Sequence, residues 1–187
     1  MPNSVSEQRL EELFRRYWAP VMAYARRRVP QDLADDVVAE TFTVAWRRLD
    51  QVPAEALPWL LGVARKVAAT QLRTTRRSNS LRERMKRSGR PGEYDWPQLT
   101  GIRVEVAEAL ARLSVNDREA ITLIAWDGLT PAQAARVMGT TAGSFRVRLH
   151  RVRRRLERDL RSPSPARGAN DRSRWPEGCG KEGFNDA

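Results

Sequence analysis

The segment from Thr130 to Leu160 constrains the fold of this chain more than any other, and reads TPAQAARVMGTTAGSFRVRLHRVRRRLERDL. Thr130 is a preferred N-cap residue, Pro131 suits the first helical position, and Gln133 stands where a capping box needs it. A helix should therefore begin at Thr130 and end at Gly139, which has the backbone freedom of a helix C-cap. Thr141 can cap a second helix directly afterwards, so the segment predicts a helix-turn-helix.

The second helix of this motif has two chemically different faces. Apolar residues recur at helical spacing and predict one buried stripe, made of Phe145, Leu149, Val152, Leu156 and Leu160. The other faces are basic, with Arg146, Arg148, Arg151, Arg153, Arg154, Arg155, Arg158 and Arg161. Such a helix suits the major groove of DNA, where arginine contacts phosphates or guanine. The alternative is a solvated basic helix without special function.

The composition narrows the classes of partner and of chemistry. A net charge of +11 over 187 residues favours a polyanionic partner, either nucleic acid or an anionic membrane surface. Cys179 is the only cysteine and His150 the only histidine, which excludes an internal disulfide and a multi-cysteine or histidine-cluster metal site. We therefore expect no metal and no cofactor. No apolar run is long enough to cross a bilayer and the first residues lack a signal-peptide pattern, so we expect a cytoplasmic protein.

The periodicity along the chain predicts an all-α protein with two small helical domains joined by a flexible linker. Residues 7–77 hold three helical patterns, with Asp32 as a candidate cap for the second and Pro58 as a start for the third. Residues 78–100 are polar and interrupted by Gly and Pro, which is typical of a linker.

The second domain is predicted over residues 101–161 and contains the helix-turn-helix. Before that motif, Asn116 with Glu119 can cap another helix. Residues 162–187 are rich in Pro, Gly and Ser and show no periodicity, so we expect a disordered tail.

The second helical pattern is acidic, in contrast to the rest of the chain. Carboxylates beside exposed apolar side chains suit a basic protein helix better than DNA, and the residues concerned are Asp35, Asp36 and Glu40 with Val38, Phe42 and Trp46. The alternative is that the acids only solvate the outer face while the aromatic residues fill the core.

The third helical pattern reverses the sign of the charge. Its basic residues are Arg65, Lys66, Arg73, Arg76 and Arg77, and Trp59 lies near its start. Aromatic and basic groups together suit single-stranded or partly melted DNA, because rings stack on unpaired bases while guanidinium groups follow the backbone. Packing of Trp59 in the core is the alternative.

These two neighbouring patterns carry a family resemblance. DLADDVVAETFTVAWRRL and PWLLGVARKVAATQLRTTRR look like the first domain of extracytoplasmic-function (ECF) sigma factors, small members of the sigma-70 superfamily. ALARLSVNDREAITLIAWDGLTPAQAARVMGTTAGSFRVRLHRVRRRL resembles their second domain. The resemblance covers most of Leu10 to Leu160 in the right order, and implies an RNA polymerase sigma factor that directs core polymerase to promoters and helps to melt them.

The resemblance also implies roles for individual residues. Those that fall where the family docks on a coiled coil of the largest polymerase subunit are Asp35, Asp36, Glu40, Thr41, Phe42 and Trp46. On the helix that faces the −10 promoter element are Arg65, Lys66, Thr70, Gln71 and Arg73, and Trp59 joins them through its stacking potential. On the recognition helix for the −35 element are Thr141, Ser144, Arg146, Val147, Arg148 and Arg151.

The expected partners are core RNA polymerase, promoter DNA and, from resemblance only, an anti-sigma factor. We expect no membrane insertion and no catalytic residue, since no compact carboxylate or histidine cluster lies beside a plausible nucleophile, which also counts against a recombinase or nuclease. A stand-alone helix-turn-helix regulator, with the first half sensing or dimerising, is the alternative. Such a regulator has no need of adjacent acidic and basic helices.

Overall fold

The computed structural model describes residues 4–83 and 104–161, and within these ranges it is helical with no strand, which confirms the all-α prediction. The helices are α1 (Ser4–Arg26), α2 (Gln31–Arg47), α3 (Ala56–Glu83), α4 (Val104–Ala111), α5 (Val115–Ala125), α6 (Pro131–Met138) and α7 (Ala142–Arg161). A single 3₁₀ turn, Leu49–Gln51, lies between α2 and α3. The predicted tail, residues 162–187, lies outside the described residues.

The first domain is a three-helix bundle of α1, α2 and α3 around an apolar core. Tyr24, Val37, Leu60 and Leu61 are among its most buried side chains. The prediction that Asp32 caps α2 is wrong, because the helix already begins at Gln31 and Asp32 lies in its first turn. A carboxylate there still interacts favourably with the positive end of the helix dipole.

The third helix is longer at both ends than its pattern indicated. It begins at Ala56, so that Pro58 lies in the first turn, where a proline costs no helical hydrogen bond. It continues to Glu83, and residues 78–83 of the predicted linker are therefore helical. The remaining linker positions, 84–100, lie outside the described residues.

The second domain contains α4 to α7, and its helix starts are set by hydroxyl caps. Ser114 caps α5, since its Oγ accepts a hydrogen bond from the backbone N–H of Asp117 at 3.2 Å. The predicted capping pair of Asn116 and Glu119 is wrong, because α5 begins one residue before Asn116. Glu119 is consequently not used in a cap, and its side chain has other partners.

The helix-turn-helix forms as predicted. Thr130 and Gln133 exchange both bonds of a capping box, at 3.3 and 2.8 Å, and α6 ends at Gly139 with φ of +64°. Thr141 Oγ1 accepts from the backbone N–H of Ser144 at 3.1 Å, which caps α7. Phe145, Leu149 and Val152 are buried, whereas Leu156 and Leu160 become progressively more exposed. The buried stripe therefore anchors only the first part of α7.

The two domains pack against each other. Helix α6 lies across α3, and the largest apolar core is continuous from the first domain into the second. This contact covers one side of α3, and another side packs on α1 and α2.

Candidate nucleic-acid and protein interfaces

The first candidate interface is the start of α7, where five of the six predicted −35 residues lie at the surface. Thr141, Ser144, Arg146, Val147 and Arg151 are exposed, and Val147 retains 51% of its surface. The buried stripe holds the opposite face of the helix against α5 and α6. The start of α7 thus presents guanidinium, hydroxyl and apolar groups together on one side of a fixed helix.

Arg148 is the exception in this set. Its Nη1 donates to Asp117 Oδ1 at 3.0 Å, and the pair joins α7 to α5 within the second domain. Farther along α7, Arg155 Nη2 donates to the carbonyl of Arg112 at 3.2 Å and ties α7 to the end of α4. Arg146 and Arg151 are therefore the arginines of the predicted set whose side chains are not held by a described ion pair.

The second candidate interface is the exposed side of α3. Lys66, Thr70 and Arg73 are exposed at the three- and four-residue spacing that places side chains on one helix face. The Thr70 hydroxyl donates to the carbonyl of Lys66 and accepts from Arg73 Nη2, both at 3.1 Å. These bonds fix the direction of Arg73 on the basic face.

Three further predicted −10 residues are less accessible. Trp59 is half-buried and packs against the core. Gln71 is also half-buried, and its Oε1 has no hydrogen-bond partner in the structure. Arg65 is turned away from the exposed face, because its Nε donates to Glu119 in the second domain at 3.1 Å. Of the predicted −10 set, the residues on the exposed face of α3 are thus Lys66, Thr70 and Arg73.

The third candidate interface is acidic and lies on α2. Asp35, Asp36 and Glu40 are exposed, as expected for a contact surface. The prediction that Val38 and Phe42 are exposed is wrong, because both face the core and keep only 3% and 6% of their surface. Thr41 is likewise fully buried, with its hydroxyl donating to the carbonyl of Val37 at 2.6 Å, so it supports α2 from inside.

An apolar groove lies beside this acidic face, between α1 and α2. Its volume is about 380 Å³, and its lining residues are Glu7, Leu10, Glu11, Phe14, Phe42 and Trp46. Phe14 packs against Phe42 with ring centroids 4.9 Å apart, yet Phe14 keeps 46% of its surface exposed. No local sequence signal marks Phe14 as part of a surface site, because its helical spacing alone is that of a buried position. We call this feature the α1–α2 groove.

Two titratable groups between the domains have pKa values shifted from their ordinary range. Burial raises the pKa of Tyr24 well above its ordinary value, and its hydroxyl donates to Glu119. Burial also raises the pKa of Asp127, against the opposing effect of its ion pair with Arg27. The sequence contained no local signal for these contacts, since the partners are about a hundred residues apart.

Neither a metal site nor a membrane span is found in the described part of the chain. No group of three or more His, Cys, Asp or Glu residues within 4–83 and 104–161 is arranged to hold a metal ion. None of the helices over those residues is both long and apolar enough to cross a bilayer.

Together these features define an all-helical protein of two domains, with a helix-turn-helix in the second and neighbouring acidic and basic helix faces in the first. Residues 13–78 match the family model for Sigma-70 region 2, and residues 103–156 match that for Sigma-70, region 4. The two models occur in the same order as the two domains.

The relatives of this chain include sigma factors of mycobacteria. The probable RNA polymerase sigma-C factor of Mycobacterium bovis is 35% identical over 136 residues, which cover 67% of this chain and 69% of the relative. The ECF RNA polymerase sigma factor SigL of Mycobacterium tuberculosis is 32% identical over 132 residues, covering 68% and 74%. The chain therefore belongs to the ECF sigma factors.

A solved structure is similar along nearly its whole length. The sigma factor RpoE from Bartonella quintana, in complex with the anti-sigma factor NepR, has a TM-score of 0.60 at 25% identity, with 81% of this chain and 96% of RpoE covered. Sigma factors direct RNA polymerase to promoters in transcription initiation and are not catalytic by themselves.

Proposed function

We propose that this ECF sigma factor divides its work among three surfaces: α2 binds core RNA polymerase, α3 contacts the −10 element and α7 contacts the −35 element. The observation that carries the proposal is the change of charge between neighbouring helices of one small domain. The exposed side of α2 is acidic, whereas that of α3 is basic. A protein that only bound DNA would gain nothing from the acidic surface.

The acidic surface suits a basic, amphipathic polymerase helix. Asp35, Asp36 and Glu40 supply charge complementarity, which speeds association and orients the partner. The adjacent α1–α2 groove supplies apolar contact, with Trp46 as the aromatic side chain most suited to anchor it. Thr41 supports this surface indirectly, because its buried side chain packs on the inner face of α2.

The basic side of α3 suits partly melted DNA. Lys66 and Arg73 lie on one face and can follow the phosphates of a single strand, while Thr70 holds the Arg73 side chain in place. The exposed part of Trp59 offers a ring on which an unpaired base can stack. Gln71 Oε1 is buried without a hydrogen-bond partner, so Gln71 can accept a bond from a base only after its side chain rotates outward.

The start of α7 suits duplex DNA in the major groove. Recognition helices of this motif contact base edges with their first turns. Arg146 and Arg151 can contact guanine or phosphate, and exposed Val147 can contact a thymine methyl group. Thr141 and Ser144 add hydroxyl groups at the same end, and Arg148 can join them if it leaves Asp117.

The proposal leaves all phosphodiester chemistry to the polymerase, so that the chain itself acts as a binding subunit and not as an enzyme. Its place of action is then the cytoplasm, where polymerase and promoters are. The likeness to RpoE, which was solved with an anti-sigma factor, supports an anti-sigma partner for this chain too. Co-purification from native extract tests that partner, and a chain found only free or bound to polymerase would contradict it.

Run-off transcription tests the main proposal. Purified core polymerase is incubated with a genomic fragment library, with and without the full-length chain, and transcript starts are sequenced. We expect new starts that share two spaced upstream elements. An Asp35→Asn, Asp36→Asn, Glu40→Gln variant should lose these starts but keep DNA binding. DNA binding by the original chain without any polymerase-dependent starts would instead establish a stand-alone regulator.

A further inference from the structure

A buried carboxylate lies at the centre of the contact between the two domains. Glu119 belongs to α5, and its side chain has no exposed surface. Three groups of the first domain bind it: the Tyr24 hydroxyl donates at 2.7 Å, Arg28 Nη2 lies at 2.6 Å, and Arg65 Nε donates to both oxygens at 3.1 and 3.2 Å. We call these four residues the Glu119 cluster.

The Glu119 cluster depends entirely on the closed arrangement of the domains. A buried carboxylate is costly unless donors compensate it. Every side chain that the structure pairs with this carboxylate, among the described residues, belongs to the first domain. Separation of the domains would therefore release Glu119, Arg28 and Arg65 to water at the same time.

Two other polar contacts surround the cluster. Arg27 pairs with Asp127, both largely buried, and its guanidinium lies 5.6 Å from the centre of the Trp126 ring. At the edge, Gln133 Nε2 donates to Glu55 Oε2 at 2.9 Å. Each of these contacts also joins the first domain to the second.

An apolar contact completes the closed arrangement. Helix α6 crosses α3 at Gly62, where a Cβ atom on the glycine would lie 4.0 Å from Val137 Cα, an ordinary van der Waals distance. Val137 and Ala134 are buried on α6. A methyl group therefore fits at position 62, whereas a larger side chain would push α6 away.

We propose that the Glu119 cluster is an interdomain latch that holds this sigma factor closed, and that Arg65 is exchanged between Glu119 and promoter DNA. The second clause rests on the proposed role of α3 in contacting the −10 element. While its Nε is bound to both oxygens of the buried Glu119, the Arg65 side chain faces the second domain, so it must leave Glu119 to lie with Lys66 and Arg73 on the exposed face of α3. Binding of promoter DNA to α3 thus opposes the latch. A closed state that is favoured about tenfold over the open state lowers the apparent affinity for promoter DNA about tenfold.

The chain length between the domains permits opening. Twenty residues, 84 to 103, join α3 to α4, and a chain of that length can span at most about 70 Å. The two DNA-contacting helices can therefore separate while the chain remains intact.

Distances between the domains test the latch without polymerase or DNA. Spin labels are attached to Ala19→Cys on α1 and Ala111→Cys on α4, both exposed positions, in a full-length Cys179→Ser background. Pulsed electron–electron double resonance then gives the distance distribution. We expect one narrow population for the parent chain, and a shift of most molecules to longer, broader distances for Glu119→Gln.

Two matched controls separate opening from general damage. Asp117→Asn removes a more exposed ion pair that lies within the second domain, and should leave the distance distribution unchanged. Gly62→Leu should open the domains sterically, whereas Gly62→Ala should leave them closed. Circular dichroism checks that each variant keeps its helix content. A broad distribution in the parent chain, or an unchanged one in both Glu119→Gln and Gly62→Leu, would overturn the latch.

Promoter DNA tests the exchange of Arg65. Added to the parent chain with core polymerase, a promoter found by run-off transcription should move the distances to the open range. With core polymerase, the Glu119→Gln variant should bind the promoter more tightly than the parent chain. The factor should equal the loss of affinity that the closed population causes in the parent chain. Opening without any transcription would disprove the sigma-factor surfaces but leave the latch. Transcription by a chain whose domains stay closed on the promoter would disprove the exchange and leave the function.

Discussion

The two domains build their proposed functional surfaces in different ways. The second domain divides tasks between the faces of one helix, since α7 packs through Phe145, Leu149 and Val152 and presents its arginines elsewhere. The first domain divides tasks between helices, with an acidic α2 and a basic α3, and also shares α3 with the second domain through Arg65. Residues of α7 should therefore be separable into packing and binding classes, whereas a change on α3 affects both.

The largest effect is expected on α7, where packing residues and exposed residues lie on different faces of one helix. Phe145→Ala removes a ring with no exposed surface, and should lower the free energy of unfolding by about 3 to 5 kcal/mol. The exposed neighbour Val147→Ala should change it by no more than about 0.5 kcal/mol. Urea denaturation measures both. Equal losses for the two variants would show that α7 does not divide its tasks by face.

The next largest effect concerns the division between helices in the first domain. Trp46→Ala removes an aromatic residue from the α1–α2 groove and should weaken binding to core polymerase by about 2 kcal/mol, or about 30-fold. Trp18→Ala, on α1 outside the groove and 40% exposed, is the control and should bind normally. Titration with labelled core polymerase gives both affinities. Stronger weakening by Trp18→Ala would move the docking surface away from α2.

Arg146 tests whether the exposed side of α7 reads sequence. If it contacts a base, Arg146→Ala should cost about 1 to 3 kcal/mol and relax specificity at one position. Binding to a randomised promoter library measures this, with the exposed Arg153→Ala as the control. Uniform weakening across all sequences, with a shallower salt dependence, would make Arg146 a phosphate contact.

A smaller effect distinguishes the cap of α5 from the residue predicted to cap it. Ser114→Ala should destabilise the second domain by about 1 kcal/mol, because the N–H of Asp117 loses its acceptor. Asn116→Ala should have almost no effect, which thermal unfolding can check. A larger loss from Asn116→Ala would return Glu119 to a role in capping, and so weaken its role between domains.

The smallest effect concerns the ionisation of Tyr24 at high pH, with little change in the free energy of unfolding at neutral pH. Burial raises the pKa of Tyr24, so the folded chain holds this proton more tightly than an unfolded chain, whose tyrosine titrates near 10.0. The stability from Tyr24 is therefore fully present below pH 10 and is lost as the pH rises through the raised pKa. Ultraviolet absorbance should show one of the three tyrosines ionising late. Tyr24→Phe should remove that step, and its persistence in the variant would contradict the assignment.

Local chemistry made most of the fold predictable. The capping box at Thr130, the left-handed Gly139 and the Thr141 cap all depend on residues within a few positions, and all are confirmed. The acidic and basic character of α2 and α3 was also visible, because exposed charge follows directly from composition. Burial was harder to predict. Val38 and Phe42 lie on a face of α2 that is covered in the structure. The periodicity alone does not show how α1 is oriented against that face.

Contacts between distant residues could not be predicted. Glu119 looked like half of a capping pair, because a glutamate three residues after an asparagine is a local signal. Its real partners, Tyr24, Arg28 and Arg65, lie 54 to 95 residues away. Phe14 likewise has the spacing of a buried helix face, and only its packing against Phe42 reveals its part in a surface groove.

The buried carboxylate of Glu119 has a consequence for protein engineering. Chimeras that exchange one domain of a sigma factor for that of a relative treat the two halves as independent parts. In this chain, a foreign first domain without counterparts of Tyr24, Arg28 and Arg65 would leave the Glu119 carboxylate without its donors. Such a hybrid would fold each half and fail to join them, unless the donor residues travel with the graft.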